Sequence, residues 1–355
     1  MRSLRLLAVC SAVLLSAACG GGNGESRADL TSFLYGHSTA KVSYWPSWDL
    51  VPPKYRYLDD RISGLPISAP GVTVGLFNVA YDNTNLPQLS LHIKRSGDAR
   101  LLVYNHGHGG LPTPAEHFAT DFLADALSSG YDLLITSMPL VGLNAIPNQP
   151  PEPLFVRTRD HAAPAEVDKA LLARFPDQHA LFELIDDPDH YMHFFTDGAL
   201  LPTALAAATP RGELAPPQQA LQYTGPHYAS IDYVGLSGGA TTGLPTCAVL
   251  AFDRCVLIAG VMPDYLRVID YSNLGDAEQH TRSFYEHFTV PDLIHLADSG
   301  PTRLTLAYNR HDPCCFADPA ASRFQQDFPD IDIRVTELDF HGYDATEVLT
   351  LLHET

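Results

Sequence analysis

One serine stands among glycines at Gly235-Leu236-Ser237-Gly238-Gly239, directly after the strand-like run "SIDYV". The stretch fits G-x-S-x-G, in which a sharp strand-to-helix turn displays a serine as a nucleophile. Only small neighbours let a chain double back so tightly. A Gly-rich turn with an ordinary surface serine fits the same letters, so the pattern needs partners elsewhere. A phosphate-cradling loop fits poorly, because no lysine follows and G-x-x-x-x-G-K-[ST] is absent.

A serine that attacks a carbonyl needs a base, an acid to orient that base, and N–H donors for the developing oxyanion. "VYNHGHGG" (Val103 to Gly110) closes an earlier strand-like run, and the backbone N–H of His108 joins that of Gly238 as the expected donor pair. His106 and His108 also carry ring nitrogens, but no third ligand is spaced to suit, so no metal is expected. His106 can equally brace the turn. "LAYNRHDPCCF" puts Asp312 just past one strand and "ELDFHGYD" puts His341 just past the last. The chain order is then Ser237, Asp312, His341, as expected when the three sit on successive strand ends. Histidine titrates near neutrality and can carry the serine proton to the leaving group, while a carboxylate holds the ring in one tautomer. Asp264, after the preceding strand, is the rival acid and His311 the rival base. Asp339 and Asp344 read as turn residues beside the histidine.

The elements that must position these groups alternate along the chain. Strands are expected at Gly71 to Tyr81, Leu89 to Ser96, Ala99 to Gly107 and Tyr131 to Pro139, then at "SIDYVGLS", "DRCVLIAGV", "TRLTLAYN" and "IDIRVTELDF". Phe118, Phe122 and Ala126 recur at helical spacing in Ala115 to Gly130, and a second helix is expected over Asp189 to Thr209 with a kink at Pro202. Short apolar strands alternating with helices predict an α/β fold with a mostly parallel sheet covered on both faces. In such folds function gathers beyond the carboxyl ends of the strands. Thr241, Thr242, Gly243 and Pro245 are poor helix formers, so the helix after Ser237 is expected to be short or kinked.

The set "NHGHGG", "GLSGG", "NRHDPCCF" and "DFHGYD" resembles the α/β-hydrolase superfamily over roughly residues 70–355. The resemblance implies an eight-stranded, mostly parallel sheet, Ser237 as nucleophile, His341 as base, Asp312 as acid, and no cofactor. It implies a serine hydrolase; carboxylic esters are favoured over amides and peptides because they need less help with the leaving group. From another class, an inactive hydrolase-like surface binding protein keeps the fold but needs none of the three side chains. A disulfide between Cys314 and Cys315 would stiffen the loop that carries the acid.

The first 18 residues read as an export signal: Arg2 and Arg5, an apolar run from Leu6 to Leu15, then small residues ending at Cys19. "LSAAC" resembles a lipoprotein cleavage site, which makes Cys19 the expected lipid anchor, and "GGGNGES" suits a tether over 19–28. Residues 29–355 form the expected hydrolase domain, with 29–70 wrapping it and the Pro- and Asp-rich 140–190 inserted as a cap or loop. Such a chain faces the periplasm or the cell exterior, or is secreted if no lipid is attached, and its only membrane contact is the anchor. The formal charge of −19 moves to about −21 with loss of the two arginines, which argues against nucleic acid as a partner. An ester, small or polymeric, is the expected substrate; oligomeric state is not legible. Cys247, Cys255, Cys314 and Cys315 allow three pairings in an exported protein, of which Cys247–Cys255 with Cys314–Cys315 is preferred.

Overall fold

The computed structural model describes residues 26–36, 40–81, 88–95, 99–111, 117–139, 141–145, 191–212, 223–267, 277–279 and 282–354. The expected signal, Cys19, and nearly all of the 140–190 insertion lie outside these residues.

Among the described residues nine strands form one sheet: β1 (Lys41–Trp45), β2 (Thr73–Ala80), β3 (Gln88–Lys94), β4 (Arg100–Asn105), β5 (Tyr131–Thr136), β6 (Ile231–Leu236), β7 (Arg254–Ile258), β8 (Arg303–Asn309) and β9 (Asp332–Thr336). Their order is β1-β2-β3-β5-β4-β6-β7-β8-β9. Pairing is antiparallel from β1 through β3 to β5 and parallel from β5 to β9. The mixed, mostly parallel sheet is as expected, with nine strands rather than eight. The additional strand is "KVSYW", whose mixed polarity suits an edge and hides it within the expected N-terminal wrap.

The central strands are apolar on both faces because both faces are covered. Side chains alternate across a strand, so Leu101, Val103, Tyr233 and Leu257 join one buried cluster while Leu102, Tyr104, Val234 and Val256 join another. The first layer holds α1 (Arg27–Tyr35), α3 (Tyr191–Ala206), α4 (Gly238–Val249), α5 (Val290–Asp298) and α6 (Ala320–Asp327). The second holds α2 (His117–Ser128) and α7 (Ala345–His353). Helix α3 runs through Pro202. Ser26 and Asp29 form a capping box on α1, and Thr289 and Asp292 form another on α5. Among the described residues no helix is long and apolar enough to cross a membrane.

Helix α4 departs from expectation. It runs unbroken for 12 residues, Pro245 included, and every residue in it is buried. Packing overrides propensity here. Its small residues serve close approach: a Cβ at Gly239 would strike the Asn105 carbonyl, and one at Gly243 would sit 2.5 Å from the Tyr233 ring. Its threonine hydroxyls are satisfied, Thr242 by the Gly238 carbonyl (3.1 Å) and Thr246 by that of Thr242 (2.8 Å).

Candidate active site

Parallel pairing brings the strand ends into line. Asn105 lies opposite Gly235, Leu236 opposite Ile258, Ile258 opposite Ala307, and Asn309 opposite Thr336. The turns that leave β4, β6, β7, β8 and β9 therefore open on one edge of the sheet. Three non-glycine residues with positive φ occur among the described residues: Ser237, Ala259 and Phe316. Ser237 and Ala259 each directly follow a strand at this edge, and Phe316 lies in the loop that leaves β8. Such backbone costs on the order of 1–3 kcal/mol per residue and persists only where surrounding structure imposes it.

Ser237 sits between β6 and α4 at φ 57°, ψ −126°. Its N–H donates to the Ile258 carbonyl (2.8 Å), and its carbonyl accepts from Ala240 (2.8 Å) and Thr241 (3.1 Å). Gly235 and Gly239 allow the reversal, since a Cβ on Gly235 would meet the Gly239 carbonyl. The serine thus heads a helix whose first N–H groups, that of Gly238 included, have no partner within the helix.

The His106-Gly107-His108 turn lies against this elbow. A Cβ on Gly107 (φ +74°) would come within 2.9 Å of the amide nitrogens of both Gly238 and Gly239. His106 is buried and its Nδ1 meets the Tyr104 hydroxyl at 2.7 Å, so it braces the turn. The His108 ring packs over Gly238 and pairs through Nε2 with Glu278 at 3.3 Å. Glu278 is fully buried. It was missed in the sequence, where "GDAEQH" carries no signal beyond polarity; only the fold puts this carboxylate beside the elbow. Gln279 follows it and donates to Thr241 Oγ1 (2.8 Å) and the Gly260 carbonyl (3.1 Å), tying the same segment to α4.

Past β8, the Asp312 side chain is almost fully buried. One oxygen, Oδ1, accepts from the backbone N–H groups of Cys314 (2.7 Å) and Cys315 (3.2 Å). The other, Oδ2, lies 2.8 Å from His341 Nδ1. A carboxylate so placed fixes the Nδ1–H tautomer and leaves Nε2 with its lone pair. That Nε2 atom is buried and makes no hydrogen bond among the described residues. Asn309 holds the histidine loop in place, its Nδ2 donating to the carbonyls of Phe340 and Gly342 at 2.8 Å each. Sequence reading missed Asn309 too, because a strand-end asparagine looks like any turn residue.

The structure therefore brings His341 and Asp312 together, and His108 to Gly238. No hydrogen bond joins Ser237 Oγ to the His341 ring. The rival acid Asp264 is largely exposed and pairs with Arg267. The rival base His311 is exposed and faces Glu337 at 3.4 Å. Asp344 caps α7, accepting from the Glu347 N–H at 2.8 Å. Met138 and Met262 are core residues, whereas Tyr265 is exposed. Cys247 is joined to Cys255, linking α4 to β7, and Cys314 to Cys315. Neither His106 nor His108 belongs to a metal-ligating cluster among the described residues.

A strained serine sits between a parallel strand and a helix, with an aspartate past β8 and a histidine past β9, on a mostly parallel sheet covered by helices on both faces. The chain has the α/β-hydrolase fold. It is similar to the solved structure of acetyl xylan esterase 1 from Thermoanaerobacterium sp., at 12% identity and a TM-score of 0.52, over 93% of this chain and 94% of that one. An acetyl xylan esterase from Paenibacillus sp. superposes less well, at 12% identity and a TM-score of 0.43, over 92% and 91% of the two chains. No protein-family model and no curated protein sequence matches the chain.

Proposed function

We propose that this α/β-hydrolase is an exported serine hydrolase that cleaves carboxylic esters through an acyl-enzyme on Ser237. The observation that carries the reading is the His341–Asp312 contact at the edge where Ser237 holds its strained turn. Ser237 Oγ attacks the ester carbonyl carbon as His341 Nε2 takes its proton. The tetrahedral oxyanion accepts from the N–H groups of Gly238 and His108. His341 then protonates the departing alcohol oxygen, and Asp312 stabilises the imidazolium in between. Water activated by the same ring releases the acid. These steps need no cofactor. An acetyl xylan esterase uses the same fold, which fits an ester substrate and fixes none.

Export rests on the N-terminal signal, with Cys19 as lipid anchor, and it agrees with the two cysteine pairs because disulfides persist outside the cytoplasm. A fluorophosphonate probe should label the folded protein and leave Ser237→Ala unlabelled. Absence of labelling removes the nucleophile. A panel of p-nitrophenyl esters beside aminoacyl anilides reads the substrate class, and turnover of anilides alone replaces ester by amide.

A further inference from the structure

We infer that Cys314, Cys315 and His341, once the cysteine pair is reduced, form a binding site for a single thiophilic metal ion such as Zn²⁺. The ligand atoms of these three residues lie within 4.8 Å of one another, and all three residues are partly accessible. A tetrahedral zinc site with Zn–S near 2.3 Å and Zn–N near 2.0 Å places its ligand atoms about 3.3–3.8 Å apart. Small side-chain rotations cover that difference once the sulfurs are no longer bonded to each other.

The backbone is already arranged for it. Asp312 Oδ1 accepts from the N–H groups of both cysteines, while Oδ2 of the same carboxylate meets His341 Nδ1. One carboxylate thus pins all three prospective ligands to a common point, as a bracing carboxylate does behind many histidine ligands. Two adjacent thiolates and an imidazole are a soft donor set that favours zinc and cadmium over magnesium or calcium.

Formation balances in two steps. A dithiol reductant gives two electrons and two protons to the Cys314–Cys315 bond and leaves as its own disulfide. The metal then displaces the two thiol protons and takes one nitrogen of neutral His341. Coordination through Nε2 occupies the lone pair that would accept the Ser237 proton. Coordination through Nδ1 displaces Asp312. On either geometry the bound ion silences the proposed base, so the reduced protein loses hydrolysis only while metal is present. The binding site does not depend on the hydrolase reading; only this loss does.

The test uses the mature chain reduced with a phosphine, which does not itself chelate as a dithiol would. Zinc retained per chain is measured after desalting, and added Cd²⁺ is followed by its ultraviolet thiolate charge-transfer absorption. Reduced wild type should hold one ion more than the reduced Cys314→Ala/Cys315→Ala variant, and the oxidised protein should lack that ion. His341→Gln should weaken binding at least tenfold while leaving the thiolate band. Zinc should also suppress fluorophosphonate labelling of the reduced protein, and a chelator should restore it. Equal retention by wild type and the double variant overturns the site, as does unchanged affinity in His341→Gln. A protein that binds the ion but never takes the probe keeps the site and loses the hydrolase.

Discussion

Asp312 and Asp264 read alike in sequence, each a turn aspartate past a strand, and their surroundings separate them. Asp312 is buried with both oxygens engaged, by two backbone N–H groups and the His341 ring, whereas Asp264 is exposed beside Arg267. Asp312→Asn keeps the shape but turns an acceptor into an amide that can drive the ring into the wrong tautomer. On the proposed mechanism kcat for a p-nitrophenyl ester should fall roughly a thousandfold, about 4 kcal/mol of transition-state stabilisation. Asp264→Asn should change kcat by less than about twofold, the surface expectation. A large loss in the second variant and none in the first would transfer the acid to Asp264.

At the scale of elements, the histidine has no helix or strand of its own. It rides on a loop between β9 and α7, fastened at one end by Asp344 capping α7 and in the middle by Asn309. Asn309 also accepts from the Thr336 hydroxyl (2.6 Å), so one buried amide ties together β8, β9 and the His341 loop. Asn309→Ala leaves the Phe340 and Gly342 carbonyls without this donor. Stability should fall by about 2–3 kcal/mol, and kcat roughly tenfold with KM little changed, because the loss is one of positioning. Thermal unfolding and steady-state kinetics on one preparation separate the two effects; unchanged kcat would show that the loop holds itself. Helix α4 teaches the complementary lesson. Its sequence argues against a helix, yet glycines and threonines are what let it lie against β4, β6 and β7 with Ser237 at its head.

Over the whole molecule, acid stability turns on groups buried away from the site. His92 on β3 is fully buried, its ring between the hydroxyls of Tyr44 (3.0 Å) and Tyr228 (2.7 Å), with Asp132 beyond Tyr228 and Lys94 on the same strand. Desolvation, helped by the Lys94 charge, lowers its pKa to about 3. The unfolded chain therefore binds a proton near pH 6.5 that the folded one refuses until about pH 3, so stability is lost as pH falls through that window. The full effect is on the order of 5 kcal/mol. Asp132 and Asp232 work against it, since burial raises both carboxyls and their protonation in the fold offsets part of the loss. His92→Gln should flatten the decline in stability between pH 6.5 and 4 measured by urea unfolding. An unchanged slope would assign acid sensitivity to other groups.

Much of this was legible in the chain itself. The eight expected strands, the mostly parallel sheet and the strand-end placement of Ser237, Asp312 and His341 follow from apolar runs punctuated by glycine and polar turns, because that periodicity is local. The length of α4 was not legible, nor were the His108–Glu278 pair, the Asn309 clamp and the gathering of Cys314, Cys315 and His341 around one carboxylate. Each depends on which strand ends lie side by side. Sheet order and register set that juxtaposition by bringing together residues tens of positions apart, and no local pattern carries it.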